Sequence, residues 1–243
     1  MSSVGKTMIH TSNLSKLYRI QDIERIPTSL LNKLFGSNKR DFWALKEVNF
    51  EVEEGQFVGL LGSNGSGKST LLKLLAEITA PSAGEIRLQG KVSSVLEVGV
   101  GFHSELSGKE NIYLNGSLLG MTKKEIDRQI DAIVAFAEVE EFLEVPIKRY
   151  STGMKVRMAF AVASHLRTEI MLVDEVLAVG DRTFKRQAIK RMLEMTREGS
   201  TILIVSHDME MLQKMCTHGI FLKNGELQAS GTFEEALSLY ETY

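Results

Sequence analysis

The chain has 243 residues, 43% of them hydrophobic, which is enough for one large domain with a sizeable core. Its 29 Lys and Arg against 31 Asp and Glu give a net charge of −2, so nothing in the overall charge argues for nucleic acid or an anionic membrane surface as a partner, and local charged patches remain an alternative. A single cysteine, Cys216, excludes a disulfide within the chain, and we find no run of about 18 apolar residues that would predict a membrane span.

The N-terminal stretch predicts a strand followed by an insertion. Residues 8–20 have the pattern of a short strand that carries an exposed aromatic residue, Tyr18. Apolar residues then recur at helical spacing, with Pro27 suited to a first helical turn and Gly36 to a stop just past the end. We therefore predict an amphipathic insertion helix at about residues 21–36, before a polar run and an alternating strand at 48–52.

A glycine-rich loop follows an apolar strand that begins near Val58, and it leads into an apolar helix. The loop satisfies G-x-x-x-x-G-K-[ST] in the strand-loop-helix context that this phosphate-binding motif requires. Glycines let backbone N–H groups converge on phosphates, and the helix adds the positive end of its dipole. Lys68 is expected to reach the β- and γ-phosphates, and the Ser69 hydroxyl to bind Mg²⁺. The predicted nucleotide-binding residues are Gly62, Ser63, Asn64, Gly65, Ser66, Gly67, Lys68, Ser69 and Thr70.

The second half of the chain contains a helical stretch followed by strand patterns. From about residue 107 to 166 the pattern is helical, with a capping box formed by Thr122 and Glu125. Two short continuous apolar runs then follow, at 170–173 and 201–205, and are typical of strands buried on both faces of a parallel sheet. A hairpin at Asn224-Gly225 and a helix opened by a second capping box complete the pattern.

These patterns predict an α/β fold: a P-loop NTPase core with a mostly parallel sheet, an N-terminal antiparallel β part and an inserted α-helical subdomain. The predicted organisation is a single domain spanning 1–243. Its α/β core would occupy 1–106 and 167–243, and its helical subdomain 107–166.

Two carboxylates end the first of the late apolar strands. Because the carboxyl end of a parallel strand faces the ligand crevice, Asp174 is expected to hold Mg²⁺ and Glu175 to polarise the attacking water. The alternative is a solvated acidic turn. Upstream, Ser151 and the Gly153 N–H are expected at the N-terminus of a helix, which is a further anion site. A plain helix cap is the alternative there.

These motifs, in this order, resemble the ATP-binding cassette (ABC) transporter family, and the resemblance extends from Tyr18 to His207. Residues 150–154 resemble the family's signature motif, usually L-S-G-G-Q, from which Tyr150, Thr152 and Met154 depart. The resemblance implies ATP and Mg²⁺ as cofactors. It also implies that Ser151 and Gly153 bind the γ-phosphate held by the P-loop of a second subunit.

The resemblance suggests roles for further residues. His207 resembles the switch histidine that contacts the γ-phosphate, and Asp181 ends a segment that resembles the D-loop, which joins the two sites across the dimer. Tyr18 aligns with the aromatic residue that stacks on adenine, with an ordinary strand tyrosine as the alternative. Glu97 aligns with the Q-loop glutamine, and whether this carboxylate binds Mg²⁺ or shapes the coupling surface stays open.

Two stretches narrow the resemblance further. Residues 91–112, and the insertion that ends at 42–45, resemble the ATPases that export surface polysaccharides such as O-antigen, capsule or teichoic acid on a lipid carrier. This implies an ATP-dependent homodimer that works with an integral-membrane permease dimer at the cytoplasmic face of the inner (cell) membrane and serves the lipid-linked polysaccharide indirectly. The insertion helix would then lie towards the membrane, or would simply cover the core.

The resemblance also sets an expectation for glycan selection. Because the chain stops soon after Thr232, we expect no selection of the glycan by a C-terminal carbohydrate-binding domain.

Other functional classes remain as alternatives. A soluble cassette ATPase acting on DNA or ribosomes is disfavoured by the single cassette, the lack of a long coiled coil or basic arm and the near-neutral charge, so we expect no nucleic-acid partner. A P-loop kinase is disfavoured because the signature and switch motifs would have no task. An ABC ATPase of another transport system is the remaining alternative.

Overall fold

The computed structural model describes residues 5–21, 39–95, 101–166, 168–174 and 181–243. Apart from Gln21, the predicted insertion helix lies outside these ranges, as do the predicted site residues Glu97 and Glu175.

Strands and helices are interspersed along the described ranges. The strands are β1 (Thr7–Gln21), β2 (Lys39–Glu53), β3 (Phe57–Leu61), β4 (Ala83–Leu88), β5 (Val92–Val95), β6 (Ile170–Asp174), β7 (Thr201–Val205), β8 (His218–Lys223) and β9 (Glu226–Thr232). The helices are α1 (Lys68–Leu75), α2 (Gly108–Leu118), α3 (Lys123–Ala137), α4 (Thr152–His165), α5 (Arg182–Arg197), α6 (Met209–Met215) and α7 (Phe233–Thr242).

A six-stranded sheet with the order β5-β6-β7-β3-β8-β9 forms the core. Its first five strands are parallel, and β9 pairs antiparallel with β8 through the predicted hairpin. Every residue of β7 is buried, as predicted for the continuous apolar run at 201–205, and every residue of β3 is buried as well. A three-stranded antiparallel sheet with the order β2-β1-β4 lies beside it. The predicted α/β fold class is thereby confirmed.

Helices α2, α3 and α4 lie between β5 and β6 in the chain and share an apolar core of their own. The predicted capping box of Thr122 and Glu125 opens α3. A further capping box, formed by Ser107 and Glu110, begins α2. The exact boundaries of the helical subdomain stay a prediction.

Cys216 ends α6 and is buried against the central sheet, where a Cβ added at Gly59 would lie 3.1 Å from its Sγ. Burial raises the pKa of this thiol to about 12. The thiol therefore stays protonated near neutral pH and acts as a small apolar side chain.

Candidate nucleotide-binding site

The loop between β3 and α1 is shaped by two glycines with positive φ. Gly62 has φ 148°, and a Cβ there would lie 2.3 Å from Ser66 Oγ. Gly67 has φ 110°, and a Cβ there would lie 2.7 Å from the carbonyl oxygen of Ala44 on β2. Both positions need glycine for their backbone conformation and for the close approach. The curl that the motif predicted is therefore built into the packing of the loop.

The side chain of Lys68 lies inside this curl. Its Nζ donates hydrogen bonds to the carbonyl oxygens of Gly62 at 2.7 Å and Ser63 at 3.0 Å, and the residue is buried. The ammonium group is thus held where the loop wraps around it. A buried cation at the start of a helix provides a strong electrostatic site for phosphate.

The N-terminus of α1 is open to an anion. It has no side-chain cap and no acidic residue in its first turn, so its N–H groups and helix dipole favour a negative ligand. Ser66 Oγ is buried and has no hydrogen-bond partner in the described part of the chain. Buried hydroxyl groups are normally paired, and a phosphate oxygen would supply a partner. The residues of this loop therefore fit a nucleotide phosphate.

The ends of three neighbouring strands bring the predicted chemistry together. Ile204 of β7 pairs with Gly59 of β3, and on the other side Val205 pairs with Asp174, the last residue of β6. The P-loop, Asp174 and the loop that carries the exposed His207 consequently share one edge of the sheet. With strands about 5 Å apart, β6 lies about 10 Å from β3, with β7 between them.

Two of the predicted Mg²⁺ ligands are described: Ser69, exposed in the first turn of α1, and Asp174, half-buried at the end of β6. The described residues contain no group of three or more His, Cys, Asp or Glu side chains that could hold a metal ion by itself. Mg²⁺ in nucleotide sites usually has few protein ligands and binds phosphate oxygens and water. A hydroxyl and a carboxylate at the P-loop edge fit that chemistry.

Ser151 caps α4, because its Oγ accepts a hydrogen bond of 3.1 Å from the Met154 N–H. The helix cap that the sequence offered as an alternative is therefore present. Ser151 and Thr152 are nevertheless exposed, and a Cβ added at Gly153 would meet only Ser151 Oγ, at 3.8 Å. The first turn of α4 also lacks an acidic residue. This helix end is thus capped and remains accessible to an anion.

Asp181 caps α5 with one carboxylate oxygen, which accepts a hydrogen bond of 2.8 Å from the Phe184 N–H. The other oxygen pairs with the guanidinium of Arg157 on α4. The Phe184 N–H, together with Arg157, holds the pKa of Asp181 below its usual range. Its carboxylate is therefore ionised and bound within the chain, and a role at the nucleotide stays a prediction.

Tyr18 lies on a strand pair that borders the P-loop. It pairs with Phe42 across β1 and β2, and both rings are exposed. The Nζ of Lys16 lies 5.2 Å from the centre of the Tyr18 ring. Shortly after Phe42 along β2, the Ala44 carbonyl lies against the P-loop at Gly67. This position is compatible with the predicted stacking on adenine, which stays a prediction.

Sequence reasoning did not find Arg157 or its second partner, Glu138. A cation in the middle of a helix gives no signal of its own, and Glu138 becomes its partner only because the chain turns at the end of α3. Asp181 directly before a helical pattern was a detectable signal for a helix cap. The contact with Arg157 depends on the packing of α4 against α5.

A P-loop, a carboxylate at the neighbouring strand end and helices inserted between β5 and β6 define a nucleotide-binding domain of the P-loop NTPase class. Residues 45–178 match the family described as "ABC transporter". The chain therefore belongs to the ABC transporter family, and the predicted assignment to its ATPase subunits is confirmed at the level of family and fold.

Two curated relatives show how much of the chain is shared. The chain is 39% identical to the O-antigen export system ATP-binding protein RfbB of Klebsiella pneumoniae. The alignment of 242 residues covers 96% of this chain and 97% of that protein. It is 40% identical to the protein of the same name from Myxococcus xanthus in an alignment of 205 residues that covers 82% of this chain. The match spans only 47% of the Myxococcus protein.

A solved cassette has the same fold. A dimeric structure of a post-hydrolysis state of an ATP-binding cassette, bound to ADP and Pi, superposes with a TM-score of 0.76 over 93% of this chain and 98% of that chain. Its sequence is 23% identical, so this likeness supports the fold of the chain.

Proposed function

We propose that this chain is the ATP-binding and ATP-hydrolysing subunit of an exporter, and that it powers export of a lipid-linked surface polysaccharide, similar to O-antigen, through a separate membrane permease. The observation that carries the proposal is the shared sheet edge, where the P-loop around Lys68 follows β3 and the carboxylate Asp174 ends β6, one strand away across β7. This arrangement provides a cation that binds phosphates and a carboxylate that binds a metal ion in one crevice.

ATP supplies the phosphoryl group that is transferred to water, and Mg²⁺ offsets negative charge on its phosphates. Lys68 and the N–H groups of the loop bind the β- and γ-phosphates, while Ser69 and Asp174 orient the ion. Tyr18 stacks on the base. Glu175 accepts a proton from the attacking water, and His207 contacts the γ-phosphate. These roles combine positioning with electrostatic stabilisation, which is how most phosphoryl-transfer enzymes work.

The second half of the site comes from another copy. In this proposal Ser151 and Gly153 of one copy bind the γ-phosphate held by the P-loop of the other, so that ATP joins two chains. The start of α4 is exposed at Ser151 and Thr152 and has no acidic residue in its first turn, which supports this role. Closure of the dimer would then be transmitted to the permease near Glu97, and hydrolysis would reopen it.

The partner and the location follow from the transport role. Of the helices that the structure describes, none combines the length and apolar character that a membrane crossing requires. We propose that the chain binds a permease dimer at the cytoplasmic face of the cell membrane. The Klebsiella relative, named for O-antigen export, supports a polysaccharide as the transported class.

Deleting the gene in its own organism tests the proposal. We expect the exported polysaccharide to disappear from the cell surface and its lipid-linked form to accumulate inside, because polymer synthesis continues without a driven permease. Surface and internal glycan would be measured by immunoblotting. The wild-type gene should restore export, whereas a gene encoding Lys68→Met should not. Normal surface glycan, together with ATP hydrolysis by the purified chain, would instead indicate an ABC ATPase of another transport system.

A further inference from the structure

Arg157 lies in the middle of α4 and joins three helices. Its guanidinium pairs with Glu138, at the end of α3, and with Asp181, the cap of α5. Its side chain is only 20% exposed, and its Cζ lies 5.8 Å from the centre of the Phe184 ring on α5. We call Arg157, Glu138 and Asp181 the arginine clamp.

Both carboxylates of the arginine clamp have a further task. Asp181 caps α5 with its other oxygen. Glu138 follows α3 in the left-handed conformation, with φ 55°, and its other oxygen accepts a hydrogen bond of 3.4 Å from Gln187 on α5. The arginine clamp therefore links the end of α3 to the start of α5, at helix ends whose backbone groups lack intrahelical partners.

Apolar contacts also join these helices, but they restrain direction less. The rings of Phe136, Phe160 and Phe184, one from each of α3, α4 and α5, lie within 6.1 Å of one another. Burial of such rings favours contact, and it is not strongly directional. A planar guanidinium with two carboxylates fixes both distance and orientation. The aromatic cluster thus provides contact between the three helices, and the arginine clamp adds a directional link between them.

A second arginine offers a close internal comparison. Arg191, on α5, is 21% exposed and pairs with Glu194 at 3.5 Å and Glu198 at 3.7 Å. Its Nε also donates a hydrogen bond of 3.0 Å to the Ser164 carbonyl near the end of α4. Arg157 and Arg191 therefore match in exposure, in having two carboxylate partners and in joining α4 to α5. They differ in where those carboxylates lie: the partners of Arg157 belong to the ends of α3 and α5, whereas the partners of Arg191 lie on and just after its own helix, α5.

We propose that Arg157 is a positioning residue for ATP hydrolysis. By holding Asp181, it keeps the end of α4 that carries Ser151 aligned with the start of α5, so that both helices move as one unit when two copies close on ATP. This inference rests on the proposed function, because it requires Ser151 to bind nucleotide across a dimer. Through Arg157, the alignment of the half-site formed by Ser151 and Gly153 is coupled to the core.

Arg157→Met tests this role, because it keeps the apolar stem and removes the fork. We expect kcat for ATP hydrolysis to fall about 10-fold, with KM for ATP changed less than about twofold, since misalignment affects the closed state rather than the P-loop. In a Glu175→Gln background, the same change should lower the fraction of ATP-dependent dimer measured by light scattering. The matched control, Arg191→Met, should retain kcat and dimer formation even if its melting temperature falls equally.

Two further variants keep the test independent of folding. Arg157→Lys can reach only one carboxylate at a time and should recover part of kcat. Asp181→Asn keeps a good helix cap and loses the ion pair, so it should lower kcat without lowering the melting temperature. Combining Asp181→Asn with Arg157→Met should cost much less than the product of the single effects, because both break the same contact. Independent, multiplying effects would mean that Asp181 acts directly on the nucleotide, which would overturn the inference.

The outcomes distinguish a failure of the positioning role of Arg157 from a failure of the proposed function. If the parent chain hydrolyses ATP and dimerises, but Arg157→Met behaves like Arg191→Met, only the positioning role fails. If the parent chain does neither, with folding shown by circular dichroism, the proposed function fails and the inference with it.

Discussion

Replacing Lys68 with methionine is expected to weaken binding of Mg·ATP by roughly 10- to 100-fold, which is the loss typical of a hydrogen bond to a charged group. The ammonium lies inside the P-loop, and methionine keeps most of its length without the charge. ATP hydrolysis should fall to background, because the γ-phosphate loses its main cation. Isothermal titration with Mg·ATP and a phosphate-release assay would measure both effects.

A second lysine on the same helix provides the control. Lys73 lies in the last turn of α1, at the end opposite the P-loop. Lys73→Met removes the same charge from the same helix and should leave ATP affinity within about twofold, because Lys73 lies at the end of the helix remote from the phosphates, where solvent and salt screen its charge. Equal losses in the two variants would mean that net charge or helix stability governs binding, and the assigned role of Lys68 would be wrong.

Introducing a carboxylate at Gly153 is expected to separate activity from stability. In Gly153→Asp the new Cβ meets only Ser151 Oγ at 3.8 Å, and an acidic residue suits the first turn of a helix, so the melting temperature should stay equal or rise slightly. The new carboxylate would repel the γ-phosphate held by the P-loop of the other copy. Such repulsion costs several kcal/mol, and kcat should therefore fall at least about 100-fold. Thermal unfolding and phosphate release would be measured on the same preparation.

Gly153→Asn is the matched variant, because asparagine has nearly the same shape as aspartate without its charge. We expect a smaller loss of kcat, with the difference between the two variants shrinking at high salt if it is electrostatic. An unchanged kcat in Gly153→Asp would show that the start of α4 does not bind the nucleotide.

Local sequence patterns predicted much of this fold because the physics they encode is local. The glycines at 62 and 67 are required by backbone conformation and close packing, and both lie where the motif placed them. Continuous apolar runs marked β6 and β7, and the capping boxes opened by Thr122 and Thr232 begin α3 and α7. The family and the fold class could both be predicted from such features.

Other features depend on contacts between distant segments. Residues 39–41 belong to a polar run that the sequence indicated as a connection, yet they lie in β2, where Lys39 pairs with Gln21 and Asp41 with Arg19. Pairing with β1 here outweighs the low strand propensity of charged residues. The arginine clamp escaped prediction for the same reason, because its partners come from different helices.

The most direct test of the account is light scattering of the Glu175→Gln variant after size exclusion, with and without Mg·ATP. We expect a monomer without nucleotide and a stable dimer with it, because the variant should bind ATP between the P-loop of one copy and Ser151 of the other without hydrolysing it. A monomer under both conditions, with ATP shown to be bound where Mg·ATP was added, would contradict the proposal that nucleotide joins two copies of this chain.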